Sequence, residues 1–414
     1  MSLSDTQKKE LDAIVANLDH EDSDVRRWAV YDLGQFPAET IIEHLVRGAE
    51  DEHRAVREAA AEVIASVPAE ICLRPLTPLL GSPRIEVRNL IAAVIAKFGG
   101  AAVEYLIEAL EHENEDVRKF SADILGLARS DQAIEYLAKA LYDSAENVGV
   151  SAAEALGKIR SPKALPHLIA GFTDRDYLKR ECAEALGMLN IPDGAYFLME
   201  QFFTTDDLLV QYAMVDAMGN EGDLKVLEFL EKNITKMVEP LHNPVALALL
   251  KIAQREHINL LERDEVPLEK IIQSVSKGDE EYQQLLINQL DESLDPGILL
   301  TLTQAKDSLS SNGLVALIKV AAPHSQLSKF ILEMVDHPDD WVAYTAIEHL
   351  IHVDEAAAAE TIKRVLAEHR NLPQLAAIKV VQHLDIPEAR EWIRPFLDSE
   401  DEDLRVIAKQ VLGD

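Results

Sequence analysis

Aromatic residues make up only 5% of this 414-residue chain, and Cys72 and Cys182 are its only cysteines. Two thiols lying within helical patterns do not make a disulfide framework; they read as packed core thiols, and a reducing cytoplasm is the expected location. No apolar run reaches the ~20 residues that a membrane-spanning helix needs. The polar start Ser2-Leu3-Ser4-Asp5 carries no sign of a signal peptide, so membrane insertion is not expected. Positive charge is scarce as well: 40 Lys and Arg stand against 73 Asp and Glu, a formal charge of −33, with no basic run. A field of that sign repels nucleic acid and anionic lipid, which excludes nucleic acid as an expected partner and favours basic proteins.

What the chain does have is a segment that recurs about every 31 residues, at Val25, Val56, Val87, Val117, Val148, Leu178 and Val210, and again at Val342, Leu372 and Leu404. With that residue as position zero, position +4 holds Ala29, Ala60, Ile91, Ser121, Ala152, Cys182 and Met214. Position +8 holds Leu33, Ile64, Ile95, Leu125, Leu156, Leu186 and Met218. Offsets of four and eight line one face of an α-helix, and the small residues at +4 let a neighbouring helix come close. Gly34, Gly126, Gly157, Gly187 and Gly219 stand at +9, either to relieve crowding late in the helix or to let the chain leave it through a left-handed conformation. An apolar-periodic stretch such as Val103–Leu110 precedes each of these helices, so the unit is a helical hairpin.

An arginine follows the zero position at Arg26, Arg57, Arg88 and Arg118. An arginine fixed at one point of every hairpin, beside acids such as Asp24, Glu86 and Asp116, predicts a structural ladder of charge-assisted hydrogen bonds between successive repeats. Acids also recur in the loop inside each hairpin: Asp22, Asp24, Asp51, Glu52, Glu113, Glu115, Asp174, Asp206, Asp207, Asp339, Asp340, Glu400 and Asp401. Equivalent loops of stacked hairpins share an edge, so these carboxylates predict a negative rim that is the candidate surface for a basic partner. The same acids have a structural use, since they satisfy free amides at the start of each second helix.

The run Asp116-Val117-Arg118, Ser121 and Leu125-Gly126 resembles HEAT repeats, in particular the short bacterial type found in phycobilin lyases. The resemblance implies an all-α fold: a right-handed α-solenoid, an α-α superhelix of the HEAT or armadillo kind, of about 13 hairpins. It covers residues 1–222 and returns over 331–414, the later segment ending in a C-terminal cap. Between them, 223–330 keeps a helical pattern with a degenerate motif, the expected place for a hinge or a specialised surface. Turns are predicted there at Pro240, Pro244, Pro267, Ser276-Lys277-Gly278-Asp279, Asp295-Pro296-Gly297 and Ser310-Ser311-Asn312-Gly313.

Enzymes are also built on similar repeats. Deoxyhypusine hydroxylase places His-Glu pairs in the second helix, where this chain has Arg27-Trp28, Lys119-Phe120 and Arg180-Glu181. A base-binding pocket is not suggested by the scattered Trp28, Trp341 and Trp392. His349 and His352, three apart, share a helical face and are the weak metal candidates, without the His-Glu-x-x-His spacing of zinc proteases. No catalytic constellation or phosphate loop is present, and no cofactor is implied. The reading is therefore a scaffold that binds protein partners along a concave helical surface, with enzymatic activity left open. The alternative is a lyase-like or chaperone-like factor acting on a bilin or other tetrapyrrole protein.

Overall fold

A computed structural model describes residues 3–263, Ile271 and 280–413. Every regular element among them is helical, and by internal contacts the chain divides into two compact units, Met1–Gly222 and Asp223–Asp414.

In the first unit seven hairpins follow one another. Their first helices are Asp5–Asn17, Ala38–Ala49, Ala69–Leu76, Val103–Ala109, Ile134–Ala140, Leu165–Asp174 and Pro192–Gln201. The second helices are Ser23–Leu33, Arg54–Ile64, Ile85–Lys97, Glu115–Ala128, Glu146–Ile159, Lys179–Leu186 and Leu208–Glu221, each of the first six packed on the second helix of the next hairpin. All seven residues at +4 and +8 are buried, with Leu33, Ile64, Ile95, Leu125, Leu156, Leu186 and Met218 fully so, and the zero residues are buried from Val56 onward, Val25 in the first hairpin being half-buried. Asp22, Asn114 and Asp207 cap second helices by accepting backbone N–H bonds, each worth about 1 kcal/mol.

The second unit is an α-solenoid of the same kind. Its hairpins are Leu224–Asn233 with His242–Arg255, Pro296–Gln304 with Ser311–Ala321, Ser328–Met334 with Asp340–Glu348, Glu355–Leu366 with Asn371–Val381, and Pro387–Asp398 with Glu402–Leu412. Glu280–Ile287 lies between the first two of these pairs. Pro267 and Ser276–Asp279 fall outside the described residues.

Several expectations are corrected. Of the two uses expected for the glycines at +9, the left-handed exit is not made: Gly34 and Gly187 cap their helices with right-handed φ of −59° and −68°, and Gly126, Gly157 and Gly219 lie inside their helices. A Cβ on Gly126, Gly157 or Gly187 would stand 2.7, 2.8 or 2.7 Å from the Cα of Ala155, Ala185 or Ala217, the +7 residue of the next hairpin. Glycine is required there because two backbones meet. The chain leaves through the left-handed region three residues later, at Gly99, Arg129, Arg160 and Asn190, and in the second unit at His257.

Leu372 is not a zero position. Asn371–Val381 buries Pro373, Gln374 and Ala377, and Gln374 takes up the +1 role described below, so the register is shifted by one. Pro244 lies in the first turn of His242–Arg255 rather than in a turn between helices, which proline tolerates because those amides have no partner within the helix. Asp295 and Ser310 are helix caps.

Candidate functional site

The +1 side chain is bonded first within its own hairpin. Arg26 Nη1 donates to the carbonyls of His20 and Glu21 at 2.8 and 3.0 Å, and Arg57 Nη1 does the same to Asp51 and Glu52 at 2.9 and 2.8 Å. Arg88 reaches Ser82 O at 2.8 Å, and Arg118 reaches His112 O and Glu113 O at 2.8 and 3.1 Å. These carbonyls follow the first helix and have no backbone partner of their own, so the guanidinium closes the hairpin loop.

The bond between repeats is made by the rest of the fork. Arg26 Nε and Nη2 hold Asp51 at 2.8 and 2.9 Å, Arg118 Nε and Nη2 hold Asp143 at 2.7 and 2.8 Å, and Arg88 lies 3.5 Å from Asp116. Ser82 stands where Arg57 would meet the corresponding acid, and among the described residues no carboxylate is paired with Arg57. Burial pushes the Asp51 and Asp143 carboxyls up, but the guanidinium and backbone N–H bonds outweigh it and hold both below the usual range. Two glutamines do the loop-closing part of this job and carry no sequence signal of it: Gln211 donates to Thr205 O at 2.9 Å, and Gln374 to the Leu366 and Glu368 carbonyls.

The candidate rim acids separate by what they touch. Asp22, Asp207 and Asp401 cap helices, and Asp339 caps Asp340–Glu348 while accepting from the Ser311 hydroxyl at 2.6 Å. Asp24 pairs with Arg27 at 3.4 Å, Asp51 with Arg26, Asp174 accepts from Tyr142 at 3.0 Å, and Asp340 holds Arg370 at 2.6 Å. The Glu52 side chain is 88% exposed and reaches Arg26 only at 3.5 Å. Among the described residues Glu113, Glu115, Asp206 and Glu400 make no side-chain hydrogen bond or ion pair and face solvent, Glu115 near enough to Arg118 to favour its charge. A cleft of about 440 Å³ opens between the first two loops, lined by Asp19, Glu21, Asp51, Glu52, Arg26 and Arg47.

His349 and His352 fall in a short 3-10 turn with ring centroids 6.2 Å apart, and His349 Nδ1 lies 2.8 Å from the Thr345 carbonyl. Among the described residues no three His, Cys, Asp or Glu side chains are grouped to hold a metal ion. Cys72 and Cys182 are fully buried, and burial pushes their thiols up to about 11 and about 12. Reactivity as thiolates is suppressed by the same desolvation.

Some second helices carry large exposed apolar side chains. Trp28 is 59% exposed and stacked near Tyr31 and Arg27, and Leu127, Leu209 and Tyr212 are also exposed. The outward face of this row thus offers apolar and charged groups together, while the slots at zero, +4, +7, +8 and +9 are taken up by packing.

These features define an α-solenoid. A sequence profile of HEAT repeats matches residues 11–96, 73–145 and 103–187. No curated protein matches the sequence. Among solved structures, Kap95p with RanGDP is similar over 98% of this chain and 63% of its own length, with 11% identity and a TM-score of 0.52. Importin beta is similar over 99% of this chain and 74% of its own, with 11% identity and a TM-score of 0.46. This chain therefore spans less than two thirds of the Kap95p chain, and the likeness is one of fold. No single helix among the described residues is long and apolar enough to cross a membrane.

Proposed function

We propose that the chain is a non-enzymatic scaffold that binds protein partners along the exposed face of its second helices, with the unpaired loop acids drawing basic partners toward it. The observation that carries this reading is the division of labour on second helices such as Ser23–Leu33, Glu115–Ala128 and Leu208–Glu221. Buried slots build the stack, and the remaining positions present exposed anchors such as Trp28, Leu127 and Tyr212, the residue types that dominate protein interfaces. Solvent-facing Glu113, Glu115, Asp206 and Glu400 add a long-range term that raises association rates with cationic surfaces and is screened by salt. The known partners of the solenoids of similar fold, RanGDP for Kap95p among them, are proteins.

The further assignments follow the same reading. Residues 223–330 serve as the hinge or specialised surface, 331–414 as the closing segment, and the cytoplasm is the compartment. A phycobilin-lyase-like subtype rests on the repeat resemblance alone, and a spectral shift of added bilin or haem on mixing with the chain would favour it over the scaffold.

The test places a photo-reactive amino acid at Trp28, Leu127 or Tyr212, and as a control at Glu39 or Glu104 on first helices. Cross-linking in native lysate should give one recurrent protein from the second-helix positions, with yield falling as salt rises. Equal capture from both faces, or none at low salt, removes the proposal.

A further inference from the structure

In the first unit Gly126, Gly157 and Gly187 at +9 bring neighbouring second helices together backbone to backbone. Gln254 holds that place in His242–Arg255, and a cleft of about 530 Å³ opens where this helix and Glu280–Ile287, which pack on each other, come to their ends. Gln254, His257, Asn259, Asn288, Gln289 and Asp291 line it.

Hydrogen bonds fix which ends of the amides are left over. Gln289 is only 5% exposed, and its Oε1 accepts from Leu260 N at 2.6 Å, so the free end is Nε2, which has no partner among the described residues. Asn288 Oδ1 accepts from Gln284 Nε2 at 3.0 Å, which leaves Nδ2 as its free end in turn. Asn259 is spent on the walls themselves: Oδ1 accepts from Leu261 N and Nδ2 donates to Gln289 O, both at 3.0 Å. Gln254 and His257 are exposed and make no side-chain hydrogen bond among the described residues, and exposed Asp291 adds an acceptor. A nearly buried amide nitrogen without an acceptor is a hydrogen bond waiting for an oxygen.

The lining selects a neutral occupant. Among the described residues it includes no lysine or arginine to balance an anion, and Asp291 is one carboxylate where a hard cation takes six or more oxygens. Nor does it include an aromatic ring on which a base could stack. What primary amides do match is a peptide backbone, since each offers a donor and an acceptor, and an extended chain leaves its N–H and C=O groups unpaired along both edges.

We propose that this cleft holds an extended, uncharged segment of a partner protein by its main chain. Gln289 Nε2 and Asn288 Nδ2 donate to carbonyls of the segment, and Gln254 and Asp291 accept from its N–H groups. The inference rests on the scaffold reading and adds a second docking point, in residues 223–330, that reads backbone rather than charge.

The probe is a hexapeptide of alternating serine and threonine, capped at both ends, titrated into the full chain labelled with nitrogen-15 and deuterium. The side-chain amide signals of Gln289 and Asn288, assigned by their loss in Gln289→Glu and Asn288→Asp, should move downfield as they donate. A peptide with esters in place of its central amides should bind about tenfold more weakly, because an ester accepts poorly and has no N–H. Gln289→Glu keeps the bond from Leu260 N but sets an oxygen where the donor stood, and should weaken binding about tenfold. Gln254→Trp, which fills the cleft from an exposed position, should do at least as much and decides the matter if Gln289→Glu fails to fold. Gln382→Ala, an exposed amide on another hairpin, should stay within about twofold. An unmoved Gln289 signal, or unchanged affinity in Gln254→Trp, overturns the proposal. If the peptide fails while cross-linking at Trp28 and Tyr212 still captures a protein, the cleft falls and the scaffold stands. Loss of both removes both.

Discussion

In the first unit the slot after position zero holds Arg26, Arg57, Arg88 and Arg118, and Gly126, Gly157 and Gly187 at +9 meet the next hairpin backbone to backbone. In the second unit the same offsets from Val245 and Val342 hold Ala246 and Ala343 at +1, and Gln254 and Ile351 at +9, while the last hairpin keeps both residues, Arg405 donating to the Ser399 and Glu400 carbonyls and Gly413 ending the helix at a φ of +80°. Yet the core slots persist: Val245, Leu249 and Ala253, then Val342, Ala346 and Leu350, are fully buried. Apolar periodicity is therefore enough to make a hairpin and stack it. The arginine and the glycine make the stacking uniform, which is why the repeat profile stops within the first unit.

Where the uniform devices are missing, the second unit uses individual ones. Arg263 holds the buried Glu231 at 2.5 and 2.9 Å, Gln289 accepts from Leu260 N at 2.6 Å, and Asn371 donates to Asp401 at 2.7 Å. Each such pair spans about one repeat in sequence, so each does locally what the arginine row does throughout the first unit.

This contrast can be broken most sharply at Glu231, whose side chain is fully buried. Arg263→Ala should cost about 3–5 kcal/mol in denaturant unfolding, because it leaves a buried carboxylate without its counter-charge, while the pair Arg263→Met with Glu231→Leu should come close to the parent. A loss under ~1 kcal/mol would mean that the second unit does not depend on its individual pairs.

In the first unit Arg118→Ala should cost about 2–3 kcal/mol, since Asp143 and the His112 and Glu113 carbonyls all lose their donor. Arg118→Gln should recover about 1 kcal/mol of this, because an amide can still close the loop as Gln211 does. No recovery would show that only the bond to Asp143 matters.

Gly157→Ala should lose about 1–3 kcal/mol, because the added carbon would lie 2.8 Å from a backbone atom of Ala185. The matched change Gln254→Ala, at the same offset in the second unit, should stay within about 0.5 kcal/mol. Amide exchange should follow suit, faster in His242–Arg255 than in Glu146–Ile159, and uniform protection would erase the distinction.

The smallest effect concerns pH. Asp51 and Asp143 have folded-state pKa values below their unfolded values, so their contribution is complete above the unfolded carboxylate range and is lost as pH falls through the folded values. Asp143→Asn should therefore flatten the acid limb of a stability profile between about pH 4 and pH 2 and leave the neutral limb parallel to the parent. An unchanged acid limb would argue against the bond.

Much of the fold was legible because the signal is local. The slots at zero, +4 and +8 report which face of a helix is apolar, and that face is buried whichever neighbour covers it. The arginine at +1 was legible as a recurring residue, but its first acceptors, carbonyls five and six residues back, were not, since any residue type supplies a carbonyl. Gln374 shows the same limit: without arginine as a marker, the register was placed one residue early, at Leu372. The loop acids read as one class, and the fold divides them into helix caps, paired groups such as Asp51 and Asp340, and solvent-facing groups such as Glu113.

The sequence by itself determined the helical hairpin, its period, its buried slots and the sign of the field around it, because each depends on residue types within one repeat. Tertiary structure alone decided that Gly157 faces Ala185 and that Arg26 holds Asp51 while Arg57 meets no acid among the described residues. Those meetings join residues 25 and 28 positions apart, and they follow from how closely one helix is set against the next.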